Sequence, residues 1–124
     1  MDTPQQLVTA AASDLRAAED LLQTGDTAWA CSAAAEAGRK SLEAVAAYIE
    51  QMPGDAALPG LVRSIATRLE TTSPKLEQAA AVLDRYTNIA ELEAAEPPSA
   101  PEAKAALAAA RQILELAKGI LGMA

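Results

Sequence analysis

A chain of 124 residues has the length of a single domain, and its abundance of alanine with no phenylalanine predicts an all-α fold with a thin core. The single cysteine excludes an intrachain disulfide. The chain has no histidine, the side chain that most often serves acid–base catalysis or metal binding, so we expect no metal or cofactor. A net charge of −7 without a basic cluster disfavours nucleic-acid binding. No apolar run reaches the ~20 residues of a membrane span, so we expect a cytoplasmic protein.

The first two helices have clear predicted ends. The run 3–6 (Thr-Pro-Gln-Gln) is typical of a capping box with threonine as the N-cap, and Gly25 ends the first helix where a left-handed residue is favoured. Asp26 or Thr27 then caps a long second helix, which the run 52–55 (Met-Pro-Gly-Asp) stops. Both helices carry apolar residues at helical spacing, which predicts one buried face on each.

Three further helices are predicted in the rest of the chain. Apolar spacing favours a short helix over 58–69 and a fourth helix that starts at Ser73-Pro74 and ends near Tyr86 or Thr87. A proline-rich stretch that cannot be regular precedes the last helix, for which Ser99 and Glu102 form a second predicted capping box. The expected architecture is an up-and-down bundle of about five antiparallel helices, forming one domain over residues 1–124.

The large and reactive side chains are few. Trp29 is predicted to fill a core otherwise made of alanine and leucine, with stacking on a nucleotide base as the alternative. Cys31 is predicted to be a buried small hydrophobe, because no histidine or second cysteine accompanies it. A core this thin is often completed by a second subunit, so we expect a homo-oligomer, a dimer or higher.

The segment from Asp26 to Val45 resembles the long helix of higher-eukaryote and prokaryote nucleotide-binding (HEPN) domains. That helix typically runs aromatic-Ala-small, then alanines, then Glu-Lys-Ala-Leu-Lys-Ala, and this chain has Trp29-Ala30-Cys31 followed by regularly spaced alanines. The run 83–86 (Leu-Asp-Arg-Tyr) resembles the "Leu-Asp-x-Tyr" entry to a loop on the substrate side of the family. The resemblance covers nearly all of the chain and implies a single HEPN-like helical domain.

Three departures from the family pattern bear on activity. Arg39-Lys40 stands where the family usually has Glu-Lys, and Glu43 replaces the next lysine. The Arg-Tyr-Pro segment expected after Tyr86 is missing. The ribonuclease motif of enzymatic members, an arginine followed several residues later by a histidine, cannot exist in a chain without histidine.

The resemblance therefore implies the non-catalytic branch of the family and no enzyme activity. Members of that branch often serve as binding or adaptor subunits, among them partners of a small nucleotidyltransferase in systems of the toxin–antitoxin kind. The alternative is a purely structural helical interaction module with no ligand. A third hypothesis keeps nucleotide binding through Arg39, Lys40 and Arg85.

The candidate ligand-binding residues combine basic side chains with polar residues near the irregular stretch: Arg39, Lys40, Arg85, Tyr86 and Asn88. Each has a structural alternative. Arg39–Glu43 and Glu36–Lys40 are i,i+4 spacings that predict ion pairs on a solvated helix face. For Tyr86 and Asn88, turn and cap roles are favoured over a place in a pocket.

Overall fold

The computed structural model describes residues 3–48, 74–87 and 96–121. These residues form four α-helices: α1 (Pro4–Gln23), α2 (Thr27–Tyr48), α3 (Pro74–Asp84) and α4 (Ala100–Leu121). The all-α prediction is confirmed, and the described parts of the chain contain no strand. The expectation of five helices exceeds the four seen here, because the predicted helix over 58–69 lies outside the described residues.

The ends of α1 and the start of α2 follow local sequence signals. Thr3 Oγ1 accepts from the backbone N–H of Gln6 at 3.1 Å, and the Gln6 side chain accepts from Thr3 N–H at 2.8 Å, which confirms the capping box. Gly25 has a φ of +84°, the left-handed conformation that glycine adopts without strain. Asp26 Oδ1 accepts from the backbone N–H of Trp29 at 3.3 Å, so Asp26 is the N-cap of α2.

Helices α2 and α4 form a parallel central pair. Cys31 and Glu102 interact electrostatically near the starts of the two helices, and Gly38 lies against Ile113 further along both. Helix α1 packs on α2 and α4, α3 packs on the same two helices, and the described parts of α1 and α3 do not touch each other. Helices α1 and α3 therefore flank the central pair and run opposite to it.

The core is built from small residues. Alanine supplies most buried positions, and the largest fully buried hydrophobic side chains are Leu42, Leu83, Ile113, Val8 and Val45. The prediction for Cys31 is confirmed, since its side chain is fully buried. The prediction for Trp29 is wrong: the residue is 45% exposed. It lies on the outer side of α2, while the inner positions next to it, Ala30 and Cys31, are filled by small side chains that let the neighbouring helices approach closely.

Candidate functional site

A surface cleft of about 430 Å³ lies at the N-terminal end of α4. One wall comes from the residues that end α3, and the other comes from the segment that leads into α4. The lining residues combine one cation, one phenol and two carboxylates with prolines and a serine: Arg85, Tyr86, Glu96, Pro97, Pro98, Ser99 and Glu102. Two of the five predicted ligand-binding residues, Arg85 and Tyr86, meet here.

Tyr86 is held in place by the turn that ends α3. Its backbone N–H donates to the carbonyl of Leu83 at 2.9 Å, and its side chain is almost fully buried while Arg85 beside it is exposed. Burial raises the pKa of the Tyr86 hydroxyl, and the Cys31 thiolate, where it forms, and the Glu102 carboxylate raise it further against the opposing effect of Arg85. The phenol therefore stays protonated at neutral pH.

Cys31 lies beneath the same end of the bundle, near Tyr86 and Glu102. Burial, with a smaller contribution from the negative charge of Glu102, raises the pKa of the thiol to about 11. Only a very small fraction of Cys31 is therefore thiolate at neutral pH. The side chain contributes packing volume to the core.

Glu102 closes the predicted capping box of α4. Its backbone N–H donates to Ser99 Oγ at 3.2 Å, and its carboxylate accepts from Ser99 N–H at 3.0 Å, so the second predicted box is confirmed. These hydrogen bonds, first from the backbone and then from the side chain of Ser99, lower the pKa of Glu102. The carboxylate thus stays ionised and contributes a fixed negative charge to the cleft.

Arg39 and Lys40 do not line the cleft and are engaged in ion pairs. Arg39 Nη1 lies 3.4 Å from Glu43 Oε1, which confirms the predicted i,i+4 pair. The predicted Glu36–Lys40 pair is wrong: Lys40 Nζ instead lies 2.7 Å from Asp14 Oδ2 on α1. The hydrogen bond to Asp14 raises the pKa of Lys40.

The remaining predicted site residue, Asn88, lies outside the described residues. Sequence reasoning missed Glu96 and the two prolines as neighbours of Tyr86. It assigned Ser99 and Glu102 to a helix cap, which is correct, but no sequence pattern places that cap beside the end of α3. Only the packing of α3 on α4 brings the two segments together.

Within the described ranges, no group of three or more cysteine, aspartate or glutamate side chains is gathered in a way that could hold a metal ion. None of the described helices is both long enough and apolar enough to cross a membrane. The arrangement that remains is a small open cleft with one exposed guanidinium, one buried phenol and two carboxylates. Such a surface can bind a polar partner through hydrogen bonds and charge pairs.

Comparison with known proteins gives one family and two solved structures. The family model for the HEPN domain matches residues 4–120. TT1696 from Thermus thermophilus is 27% identical, with a TM-score of 0.83 over 97% of this chain and 99% of that chain. An HEPN domain protein from Thermotoga maritima is 23% identical, with a TM-score of 0.78 over 94% of this chain and 97% of that chain. No curated protein matches the chain.

Proposed function

This chain belongs to the HEPN domain family, and on that premise we propose that it is a non-catalytic binding subunit whose contact site is the cleft beside Arg85 and Tyr86. The cleft joins the "Leu-Asp-x-Tyr"-like run of the sequence to the capped start of α4. In this proposal the subunit works by holding a partner and not by turning over a substrate.

The observation that carries the proposal is the lining of the cleft, in which one exposed guanidinium, one buried phenol and two carboxylates meet on an open surface. Tyr86 and Cys31 both have a raised pKa, and Glu102 has a lowered one, so each shift moves a group away from neutrality. General acid–base catalysis works best when the catalytic pKa lies near the working pH. No histidine in the 124 residues supplies that function instead. These properties favour binding over proton transfer.

The kind of partner follows from the family resemblance. We propose assembly into a homo-oligomer and association with a small nucleotidyltransferase in a cytoplasmic system of the toxin–antitoxin kind. An acidic chain with a single exposed arginine in its cleft suits a protein surface with both charge signs better than a polyphosphate. A nucleotide that places one phosphate on Arg85 is the second ligand to test.

The non-catalytic half of the proposal is tested by incubating the purified protein with structured and single-stranded RNA, without added metal. We expect both RNAs to remain intact. Cleavage that disappears in the Arg85→Ala variant but persists in Arg16→Ala would overturn the proposal. Arg16 is a matched control because it is an exposed arginine on α1, away from the cleft.

The binding half is tested by affinity capture from a native lysate, with the mass of the captured complex measured by light scattering. We expect the wild-type chain and Arg16→Ala to retain a nucleotidyltransferase and Arg85→Ala to lose it. Thermal shift with ATP tests the nucleotide separately, since a ligand of the native state raises the midpoint with concentration. Capture that is equal for the two arginine variants would show that the cleft is not the contact site.

A second candidate function is a structural helical module that has no ligand. It is favoured by the pairing of Arg39 with Glu43 and of Lys40 with Asp14, which leaves these cations engaged within the chain. Under this alternative, ATP does not raise the unfolding midpoint, and the capture of a partner protein does not depend on Arg85. The same two experiments therefore separate the candidates.

A further inference from the structure

The cleft beside Arg85 and Tyr86 carries one negative charge in excess. Two carboxylates line it, Glu96 and Glu102, against the single cation of Arg85. Arg85 lowers the pKa of Glu102 and opposes the rise in the pKa of Tyr86, so its guanidinium lies close enough to compensate one carboxylate. The charge that is left over is negative, and it favours a monovalent cation over an anion.

Glu96 is the carboxylate that no group of the cleft engages. Its side chain is exposed, and within the described parts of the chain it forms neither a hydrogen bond nor an ion pair. Glu102 differs, because its Oε1 accepts from the backbone N–H of Ser99 at 3.0 Å and the charge of Arg85 acts on it. Both oxygens of Glu96 are therefore open to a ligand.

The phenol of Tyr86 is a second open group at the same place. Tyr86 is only 6% exposed, and no described residue hydrogen-bonds to its hydroxyl. Among the described side chains, the enclosed polar atom without a hydrogen bond is Asp14 Oδ2, so the Tyr86 hydroxyl reaches the cleft that its residue lines. A phenol oxygen accepts hydrogen bonds as well as donating them. With Pro97 and Pro98, the ring also gives the cleft apolar surface.

We propose that the cleft receives a guanidinium group, supplied by an arginine side chain on the surface of the partner protein. Glu96 accepts two parallel N–H groups in the bidentate geometry that arginine and carboxylate prefer, and the Tyr86 hydroxyl accepts another. Arg85 is then left to pair with a carboxylate beside that arginine. The proposal rests on the proposed function in one respect, the binding of a partner protein here, and specifies the chemistry that the partner presents.

Three properties of the cleft favour a guanidinium over other charged groups. Its planar fork of five donors matches acceptors that come from separate segments, Glu96 and Tyr86. It is more weakly hydrated than an ammonium, and its aliphatic stem can pack on the apolar surface of Pro97 and Pro98. The volume of about 430 Å³ lies in the range of small-ligand sites. A phosphate would instead stand beside two carboxylates.

The first test titrates the full chain with a blocked arginine, N-acetylarginine amide, and follows the backbone amides by two-dimensional NMR. We expect the amides of residues 85–87 and 96–102 to shift and to saturate in the millimolar range, on the order of 1–10 mM, because a single charged pair in an open site binds weakly. N-acetylcitrulline amide has the same shape without the charge and should give no saturable shift. No saturable shift with the blocked arginine, or equal shifts with both ligands, would overturn the proposal.

The second test changes the charges of the cleft one at a time. Glu96→Gln should raise the dissociation constant of the blocked arginine at least about fivefold, because the bidentate pair is lost. Glu36→Gln is the matched control, an exposed glutamate on α2 outside the cleft, and should leave it unchanged. Arg85→Gln should lower the dissociation constant, because a competing cation is removed. Weaker binding in Arg85→Gln, or saturable binding of inorganic phosphate that requires Arg85, would show an anion site and overturn the proposal.

Capture of the partner separates a protein arginine from a small guanidinium compound. We expect Glu96→Gln to lose the captured nucleotidyltransferase and Glu36→Gln to retain it. Equal capture by the wild type and Glu96→Gln would overturn a protein source for the guanidinium. Capture that depends on Arg85 while the blocked arginine does not bind would overturn this proposal and leave the proposed function standing. Binding of the blocked arginine without capture of a partner would overturn the proposed function and not the guanidinium site.

Discussion

Two alanine-lined surfaces of this protein differ in whether they are covered. Between α2 and α4, alanines and Gly38 are buried, and the two helices run parallel in the centre of the bundle. Between α3 and α4, alanines of the same helix line an open groove together with Gln78 and Gln112. Residue type is therefore almost the same on two sides of α4, while Ala105 and Ala108 in the groove are exposed.

The comparison teaches that alanine content alone does not say which face of a helix is interior. Alanine contributes little hydrophobic energy by itself, so its burial follows from the larger residues around it. Next to Gly38, Leu83 and Ile113 supply that volume. The groove between α3 and α4 has only Val82 as a larger apolar side chain, and it is half-buried.

The largest expected effect tests the covered surface. Leu83→Ala should lower the free energy of unfolding by about 3 kcal/mol, because the side chain is fully buried against α2 and its removal leaves a cavity. Denaturant titration followed by circular dichroism measures the change. A loss near zero would mean that the small-residue interior does not depend on its few large side chains.

The next effect compares the two faces directly. Ala110→Leu should cost about 2 kcal/mol, because Ala110 is fully buried on α4 and the added volume overpacks the core. Ala108→Leu, two residues earlier on the exposed side of the same helix, should change stability by less than about 0.5 kcal/mol at dilute protein concentration. Equal costs for the two variants would contradict the assignment of the covered and open faces.

A third, smaller effect is the change in stability caused by Gly38→Ala. We expect it to be destabilising in the wild type and stabilising in the Leu83→Ala variant. A Cβ at this position would lie 2.5 Å from Leu83 Cδ1 and 3.5 Å from Ile113 Cδ1. Gly38→Ala should therefore cost about 1 kcal/mol net, after the gain in helix propensity. In the Leu83→Ala background the clash is absent, and the same change should stabilise the protein.

Gly119→Ala is the control for that experiment. Gly119 is helical and exposed, and nothing lies within 4 Å of an added Cβ. The substitution should therefore stabilise the protein by about 0.5–1 kcal/mol in either background. Thermal unfolding of the four Gly38/Leu83 combinations gives the coupling, and additive costs for Gly38→Ala and Leu83→Ala would show that the two positions do not touch.

The smallest effect is a pH dependence at the end of α4. Because the folded-state pKa of Glu102 is below its ordinary value of 4.5, its stabilising contribution is present above pH 4.5 and is lost as the pH falls through the folded pKa. Glu102→Gln keeps a capping side chain that does not ionise, as Gln6 does for α1. The difference in unfolding midpoint between wild type and this variant should stay constant above pH 4.5 and shrink below it.

Local signals predicted much of the fold. The capping boxes at Thr3 and Ser99, the left-handed Gly25 and the Arg39–Glu43 pair are all confirmed, because each depends on residues no more than four positions apart. The HEPN resemblance, based on the order and spacing of residues along the chain, agrees with the family match over residues 4–120.

Positions that depend on a second helix were harder to predict. Trp29 was expected in the core and is exposed. The helices that cover the inner face of α2 lie so close that only small side chains fit there. Lys40 bonds to Asp14 on α1 and not to Glu36 on its own helix. At the candidate site, Arg85 and Tyr86 were predicted, but their neighbours Glu96 and Pro97 come from a segment that approaches only through packing.

The amino-acid sequence by itself determined where the described helices begin, the scarcity of large side chains and the lack of a histidine, since each is a property of composition or of neighbouring residues. Tertiary structure alone decided which alanines are interior, which cations are paired and where the cleft opens. Those features depend on distances between residues far apart in the chain. An alanine-rich helix has several faces of similar hydrophobicity, so its own pattern specifies its neighbours only weakly.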